Sequence, residues 1–311
     1  MQIAFLRLVL PVLAGVRIII FSPFAIKLSM ADERDLSILV QAHLPAFDPQ
    51  GCSTVHEKTL ALEAAILSLR HNYPDVPIVL TGHGINFPHS VDHLVDDILW
   101  EPLAKLDKNG LVVDQPAQFK YVVKGLDLIA TKYQSRYVFK CRGDGFLLNP
   151  FPLTEIIRDE SYILSATQQT RKTRPYLGDL FICAPLGTMI RLWSSQDGVL
   201  DYSCGNSNLG LNALTALNIS YSSWNEEFIK SHFRFVNISQ TLHVDLRRAW
   251  TLIPHFSDLI SDQIVEYILR LPKPELQKYL FGYDQGWHRF DLESSKIISD
   301  DSPGEYYYAD A

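Results

Sequence analysis

Residues 135–150 read SRYVFKCRGDGFLLNP. The run Tyr137-Val138-Phe139 is built of β-formers and breaks abruptly into Arg142-Gly143-Asp144-Gly145, the pattern of a buried strand that ends in a tight acidic turn. In an open α/β sheet, ligands bind beyond the carboxyl ends of the strands, so an acid in that turn is aimed at whatever the protein holds. The flanking glycines let the backbone come close to a ligand. Two readings stand: Asp144 is a metal or substrate ligand, with Lys140 and Arg142 as cationic neighbours for a phosphate, or the four residues are an ordinary Asp-Gly turn. Alternation along the strand puts Val138, Lys140 and Arg142 on one face and Tyr137, Phe139 and Cys141 on the other. A lysine and an arginine buried together need a counter-charge, either an anionic ligand or a nearby acid such as Asp179.

The rest of the chain supplies a frame for that strand. Residues 36–42, LSILVQA, are a continuous apolar run of the kind found in central parallel strands. A helix is predicted over 59–72, stopped by Pro74, and a second strand over 76–81, followed by Gly82-His83-Gly84, a glycine-flanked end that either faces a ligand or, as such a pattern more often does, forms a plain turn. Strand, helix and strand in that order imply a right-handed crossover and a parallel sheet. Leu94, Val95, Ile98, Leu99 and Leu103 predict a helix over 92–106. The clearest amphipathic helix is 116–133, with Phe119, Val122, Val123, Leu126, Ile129, Ala130 and Tyr133 on one side and Pro116 at its start. A short helix near 153–158, a strand over 162–167, a basic loop over 168–174, a strand over 178–184 and a helix over 185–193 follow. The C-terminal third reads as mostly helical, over 207–217, 224–235 and 259–271. The expected architecture is α/β, a mostly parallel central sheet flanked by helices with a helical C-terminal part.

With 47% apolar and 20% charged residues over 311 positions, the composition is that of a globular protein. A net charge of −7 argues against a general nucleic-acid binder, which needs a basic surface. The four cysteines form no C-x-x-C pair, so neither a zinc site nor a disulfide framework is indicated, and a cytoplasmic setting fits best. Residues 1–29 form an apolar segment interrupted by Arg7, Pro11, Gly15, Arg17 and Pro23. Three readings compete for it: a signal anchor, a helix on the membrane surface, or sequence upstream of a true start at Met30. Residues 30–311 are expected to form a single domain.

The passage QFKYVVKGLDLIATKYQSRYVFKCRGDGF resembles the WavE family of lipopolysaccharide-synthesis proteins, in which a helix ending in Lys-Tyr leads to a Tyr-x-x-Lys-x-Arg-x-Asp strand. Lys132-Tyr133, Tyr137, Lys140, Arg142 and Asp144 stand at those places. GDLFICAPLGTMIRLW is similar to the family's Asp-aromatic strand and following helix, and ALEAAILSLRHNYPDVPIVLTG to its early region. The likeness spans about residues 36–195. It implies a glycosyltransferase-like nucleotide-sugar fold of the GT-A kind, in which a strand-end Asp-x-Asp holds a divalent cation, Mn²⁺ or Mg²⁺, on the sugar diphosphate.

Here Arg142 stands where the first aspartate would, so a metal would rest on Asp144 alone. The donor-binding residues implied are Gln41, Gln118, Lys140, Arg142 and Asp144. An inverting transfer also needs a carboxylate to deprotonate the acceptor, for which Asp179 is the first candidate and Glu226 the second. The expected activity is transfer from a nucleotide-sugar donor to a glycan or glycolipid acceptor, a lipopolysaccharide or capsular intermediate, at the inner face of the cytoplasmic membrane. A non-catalytic carbohydrate-binding or assembly protein of the same fold is the alternative, and the missing aspartate favours it.

Overall fold

The computed structural model describes residues 35–44, 55–84, 87, 89–102, 114–148, 150, 163–165, 170–171, 177–179, 181–194, 209–210, 212–214, 220–235, 243–245, 253, 255, 258–272, 289–291, 296–299 and 306–307. Strand β1 (Leu36–Leu44) is buried along almost its whole length. It runs parallel to β2 (Ile78–Gly84) on one side, and helix α1 (Val55–Asn72) makes the crossover between them. Strand β3 (Asp97–Glu101) continues in parallel from β2, and β4 (Tyr137–Arg142) lies parallel to β1 on its other side. Covered on both faces, β1 has no use for polar alternation, which is why its sequence is a plain apolar run.

The chain then forms β5 (Gly145–Leu147), β6 (Ile163–Ser165), β7 (Thr170–Arg171), β8 (Phe181–Pro185) and β9 (Phe233–Phe235). The main sheet has seven strands in the order β3-β2-β1-β4-β8-β6-β9. Only β8 runs against its neighbours in this sheet, β4 and β6, while β6 and β9 are parallel. The protein is thus α/β with a mixed, mostly parallel sheet. The reversal has a consequence for position: the residues leading into β8 lie at the edge where β1, β2 and β4 end.

Helices cover both faces. Helix α1 lays Leu62, Ile66 and Leu69 on Ile38, Val40, Phe139 and Cys141. On the opposite face, α2 (Asp114–Leu128) and α3 (Leu186–Trp193) bring Phe119, Val122, Leu126, Met189, Leu192 and Trp193 against Leu39, Val79, Val138 and Ile182. Strand β4 thus divides its side chains as its alternation predicts. Helix α4 (Glu226–His232) adds Phe228 and Ile229 to that second core. The outer side of α1 packs Leu60, Ala61 and Ala64 with Phe146 and with Ile264 and Ile268 of α5 (Ser261–Arg270). Each leucine, isoleucine, valine, methionine or phenylalanine among these contributes roughly 1.5–3 kcal/mol when fully buried.

Several expectations are corrected. The helix predicted over 92–106 is instead, up to residue 102, a 3₁₀ turn, His89–Leu94, followed by β3, and 103–106 lie outside the described residues. Its apolar spacing suits either structure over so short a run, and pairing with β2 decides it. The helix predicted over 224–235 stops at His232, where Phe233-Arg234-Phe235 becomes β9 beside β6. Among its described residues the C-terminal third is mixed rather than mostly helical. It supplies β9, β10 (His243–Asp245, antiparallel to β5), the antiparallel pair β11 (Arg289–Asp291) and β12 (Lys296–Ser299), and β13 (Tyr306–Tyr307). Strand β13 pairs with β7, inside the loop expected over 168–174. The apolar segment 1–29 and the helix near 153–158 lie outside the described residues. Among the described residues no helix is long and apolar enough to cross a membrane.

Candidate functional site

Strand β4 ends at Arg142 and turns through Gly143 and Asp144 into β5. Arg142 is the register partner of Gln41 on β1, and the Gly143 N–H donates to the Gln41 carbonyl at 2.9 Å, carrying the ladder one step into the turn. A Cβ on Gly143 would stand 2.6 Å from the Leu62 side chain of α1. Glycine is what lets the turn close against that helix.

Four charged groups meet at this edge. The Arg142 guanidinium donates to Asp144 Oδ2 at 2.6 Å and reaches within 3.6 Å of Asp179 Oδ1. Lys140, fully buried, donates from Nζ to the Asp179 carbonyl oxygen at 2.5 Å, with Asp179 Oδ2 4.0 Å away. The carbonyl contact is the hydrogen bond, and the carboxylate acts on Lys140 at longer range. The ammonium also lies 4.8 Å from the centre of the Trp193 ring, a contact strengthened by desolvation. Burial pushes the Lys140 ammonium down to about 8, with Asp179 opposing that shift and Arg142 adding to it. Two cations and two carboxylates leave the cluster formally neutral at pH 7.

Helix α2 closes the cluster from the side. Gln118 donates to Asp179 Oδ2 at 2.8 Å and to Gln41 Oε1 at 3.3 Å. Gln41, Gln118, Lys140, Arg142, Asp144 and Asp179 therefore stand together, although they come from β1, α2, β4, the turn after it and the segment before β8. Glu226 begins α4, and its side chain lies outside the described residues. Asp179 is engaged through both carboxylate oxygens, by Gln118 and by Arg142. These are the surroundings of a counter-ion for Lys140 and Arg142.

Divalent Mn²⁺ or Mg²⁺ needs several oxygen ligands converging on one point. Here the guanidinium of Arg142 lies against Asp144 and reaches Asp179, where such a cation would have to stand. Among the described residues no group of three or more His, Cys, Asp or Glu converges for a metal. The donor set does not fit the metal that the Asp-x-Asp resemblance implies. Chemically, these carboxylates can accept from hydroxyls, the amides can donate and accept, and the partly exposed guanidinium can donate to an anion.

The sequence pattern ends the first strand before His43 and favours a turn at Gly82-His83-Gly84, whereas the structure carries β1 through His43 to Leu44 and β2 through His83 to Gly84, because the two strands stay paired to their last residues. His43 and His83 are register partners on β1 and β2, and His43 Nδ1 stands 2.6 Å from His83 Nε2. His83 is 1% exposed and stacks on Tyr121 of α2, with ring centres 4.8 Å apart. Each of these two strands carries a histidine one residue before its end, but which residues face each other is set by the register. No protein-family model matches the chain, and no curated protein matches it either.

Proposed function

We propose that this chain is a glycosyltransferase of the GT-A kind, taking a sugar from a nucleotide-sugar donor to a lipopolysaccharide or capsular intermediate. The observation that carries the reading is the cluster of Gln41, Gln118, Lys140, Arg142, Asp144 and Asp179 at the carboxyl edge of the parallel strands. That edge is where open α/β sheets bind ligands. In this reading Asp144 and the two glutamines hold hydroxyls of the donor sugar. Arg142, 25% exposed, turns toward the diphosphate and offsets the charge that builds on it as the sugar leaves. Lys140 stays buried as the strut that fixes Asp179.

The non-catalytic reading draws on one observation, that Arg142 already lies against two acids. Release of nucleoside diphosphate from a panel of UDP-, GDP-, ADP- and CMP-linked sugars (nucleoside monophosphate for the last), with glycan acceptors, separates the two. We expect release with at least one donor, and a loss of about 100-fold or more in Asp144→Asn with the circular dichroism spectrum unchanged. Binding of a donor without turnover establishes the non-catalytic protein, and wild-type turnover by Asp144→Asn makes that acid structural.

A further inference from the structure

We propose that His43 is the general base of the transfer and that His83 is the residue that positions it. This rests on the glycosyltransferase reading and goes beyond it in naming the group that takes the acceptor's proton. Asp179 is poorly placed for that task because Gln118 and Arg142 hold its carboxylate oxygens. His43 lies two residues beyond Gln41 on the same face of β1, and Gln41 is the register partner of Arg142. The histidine thus belongs to the same row of side chains beneath α2 as the charged cluster.

The pair has the internal geometry of a base and its orienting partner. At 2.6 Å, one proton lies between His43 Nδ1 and His83 Nε2, so one ring donates and the other accepts. The rings meet edge-on, with centres 4.2 Å apart and planes at 80°. His83 cannot turn away, since it is buried between the sheet and the Tyr121 ring. When Nδ1–H of His43 donates to His83, Nε2 of His43 is the basic nitrogen. A proton arriving there leaves an imidazolium whose charge is spread onto a neighbouring imidazole by a hydrogen bond already made.

In the step itself the acceptor O–H bond breaks and its proton passes to His43 Nε2. The oxygen's electron pair forms the new bond to the anomeric carbon. The bond from that carbon to the diphosphate oxygen breaks, and its electrons leave on the diphosphate. The charged groups on the surrounding elements are already paired, with one net positive charge left on the β3 side, where one carboxylate meets two lysines. On the β3 side Glu101, register partner of His83, is paired with Lys120 and Lys124 of α2. On the β4 side Arg142 and Lys140 are matched by Asp144 and Asp179. Tyr121 is a further titratable group, stacked on His83.

The test uses the full chain with whichever nucleotide sugar the panel identifies, and it reads kcat, KM and the pH–rate profile. His43→Gln is expected to lower kcat by about 100-fold or more, to leave donor KM within about threefold, and to remove the acid limb of the profile. Added imidazole is expected to restore part of the rate in His43→Ala, a rescue that a structural histidine does not show. His83→Gln is expected to keep a measurable rate with a displaced acid limb. If His83→Gln fails to fold, His43→Gln and the imidazole rescue decide alone. Wild-type kcat with an intact acid limb in His43→Gln overturns the inference and leaves the glycosyltransferase reading standing. No turnover by the wild type with any donor overturns both.

Discussion

Lys140 is a fully buried cation whose partners are a carbonyl oxygen, an indole ring and a carboxylate at longer range. Its ammonium is pushed down to about 8 from an ordinary 10.5, first by burial. Below pH 8 the folded and unfolded chains both hold this proton, and the cost of burying the charge is constant. Between pH 8 and 10.5 the folded chain has released the proton and the unfolded chain still holds it, so stability from this group rises with pH, by a total on the order of 3 kcal/mol. The thiols of Cys141 and Cys183 act oppositely, since burial raises both, Cys183 to about 12. Their effect cancels to first order when wild type is compared with Lys140→Met. Urea unfolding of the two proteins at pH 7.5, 9 and 10.5 is expected to show wild type gaining on the variant as pH rises. A constant difference means that Lys140 keeps its proton throughout. Strand alternation alone placed Lys140 and Arg142 on one face and required a counter-charge, so this much of the site was legible from six residues. The histidine pair was not legible, because a hydrogen bond between β1 and β2 depends on a register that neither strand's own sequence contains.

Helix α2 was the most legible element, because its apolar residues repeat at helical spacing over the whole length that the sheet contacts. Two of its features escape any periodicity. Gly125 is a contact point: a Cβ there would stand 2.4 Å from Leu39 Cδ1 and 2.6 Å from Thr81 Cγ2. Replacing glycine by alanine in a helix ordinarily gains about 1 kcal/mol, whereas forcing a methyl into a packed core costs about 1–3 kcal/mol. Gly125→Ala is therefore expected to lower stability by about 1 kcal/mol in denaturant titration, and a gain would mean that α2 rides higher on β1 and β2. The second feature is the end of the helix, where the chain widens into a π turn, Ile129–Tyr133. That turn delivers Lys132 and Tyr133 to Asp97 of β3, Lys132 at 2.6 Å. It closes with Gln134 in the left-handed region at φ 54°, its N–H donating to the Ile129 carbonyl. Glycine takes that conformation without the Cβ penalty, so Gln134→Gly is expected to raise the thermal midpoint, by an amount equivalent to about 1 kcal/mol. The same ion pair explains why 92–106 misled as a helix. Leu94, Ile98 and Leu99 suit either period, and the strand is selected by β2 and by Asp97's partners, which lie more than thirty residues along the chain.

At the scale of the molecule, β3, half-buried and without an apolar run, reads as a helix from its sequence, whereas β1, β2 and β4 were readable because each is a short apolar run, the latter two fed by a helix. The reversal of β8 was not, since nothing in FICAP records which way it runs against β4. Yet that reversal brings Asp179 to the edge where Arg142 and Asp144 stand, and it turns a cationic pair into a neutral cluster. The whole chain carries a net charge of −7. On the proposed function, an incoming nucleoside diphosphate therefore meets a repulsive long-range field, and the charged cluster at this edge, neutral among the described residues, does not draw it in. Such a field acts over a Debye length of about 30 Å at 0.01 M salt and about 8 Å at 0.15 M. Stopped-flow association of a fluorescent uridine diphosphate analogue is accordingly expected to quicken as sodium chloride rises over this range, because screening removes the repulsion while the short-range contacts with Arg142 are screened far less. A site built as a positive pocket for the diphosphate gives the opposite slope. An association rate that falls with salt would mean that cations beyond Lys140 and Arg142 guide the ligand in, and that Asp144 and Asp179 do not neutralise the edge as their distances to the arginine indicate.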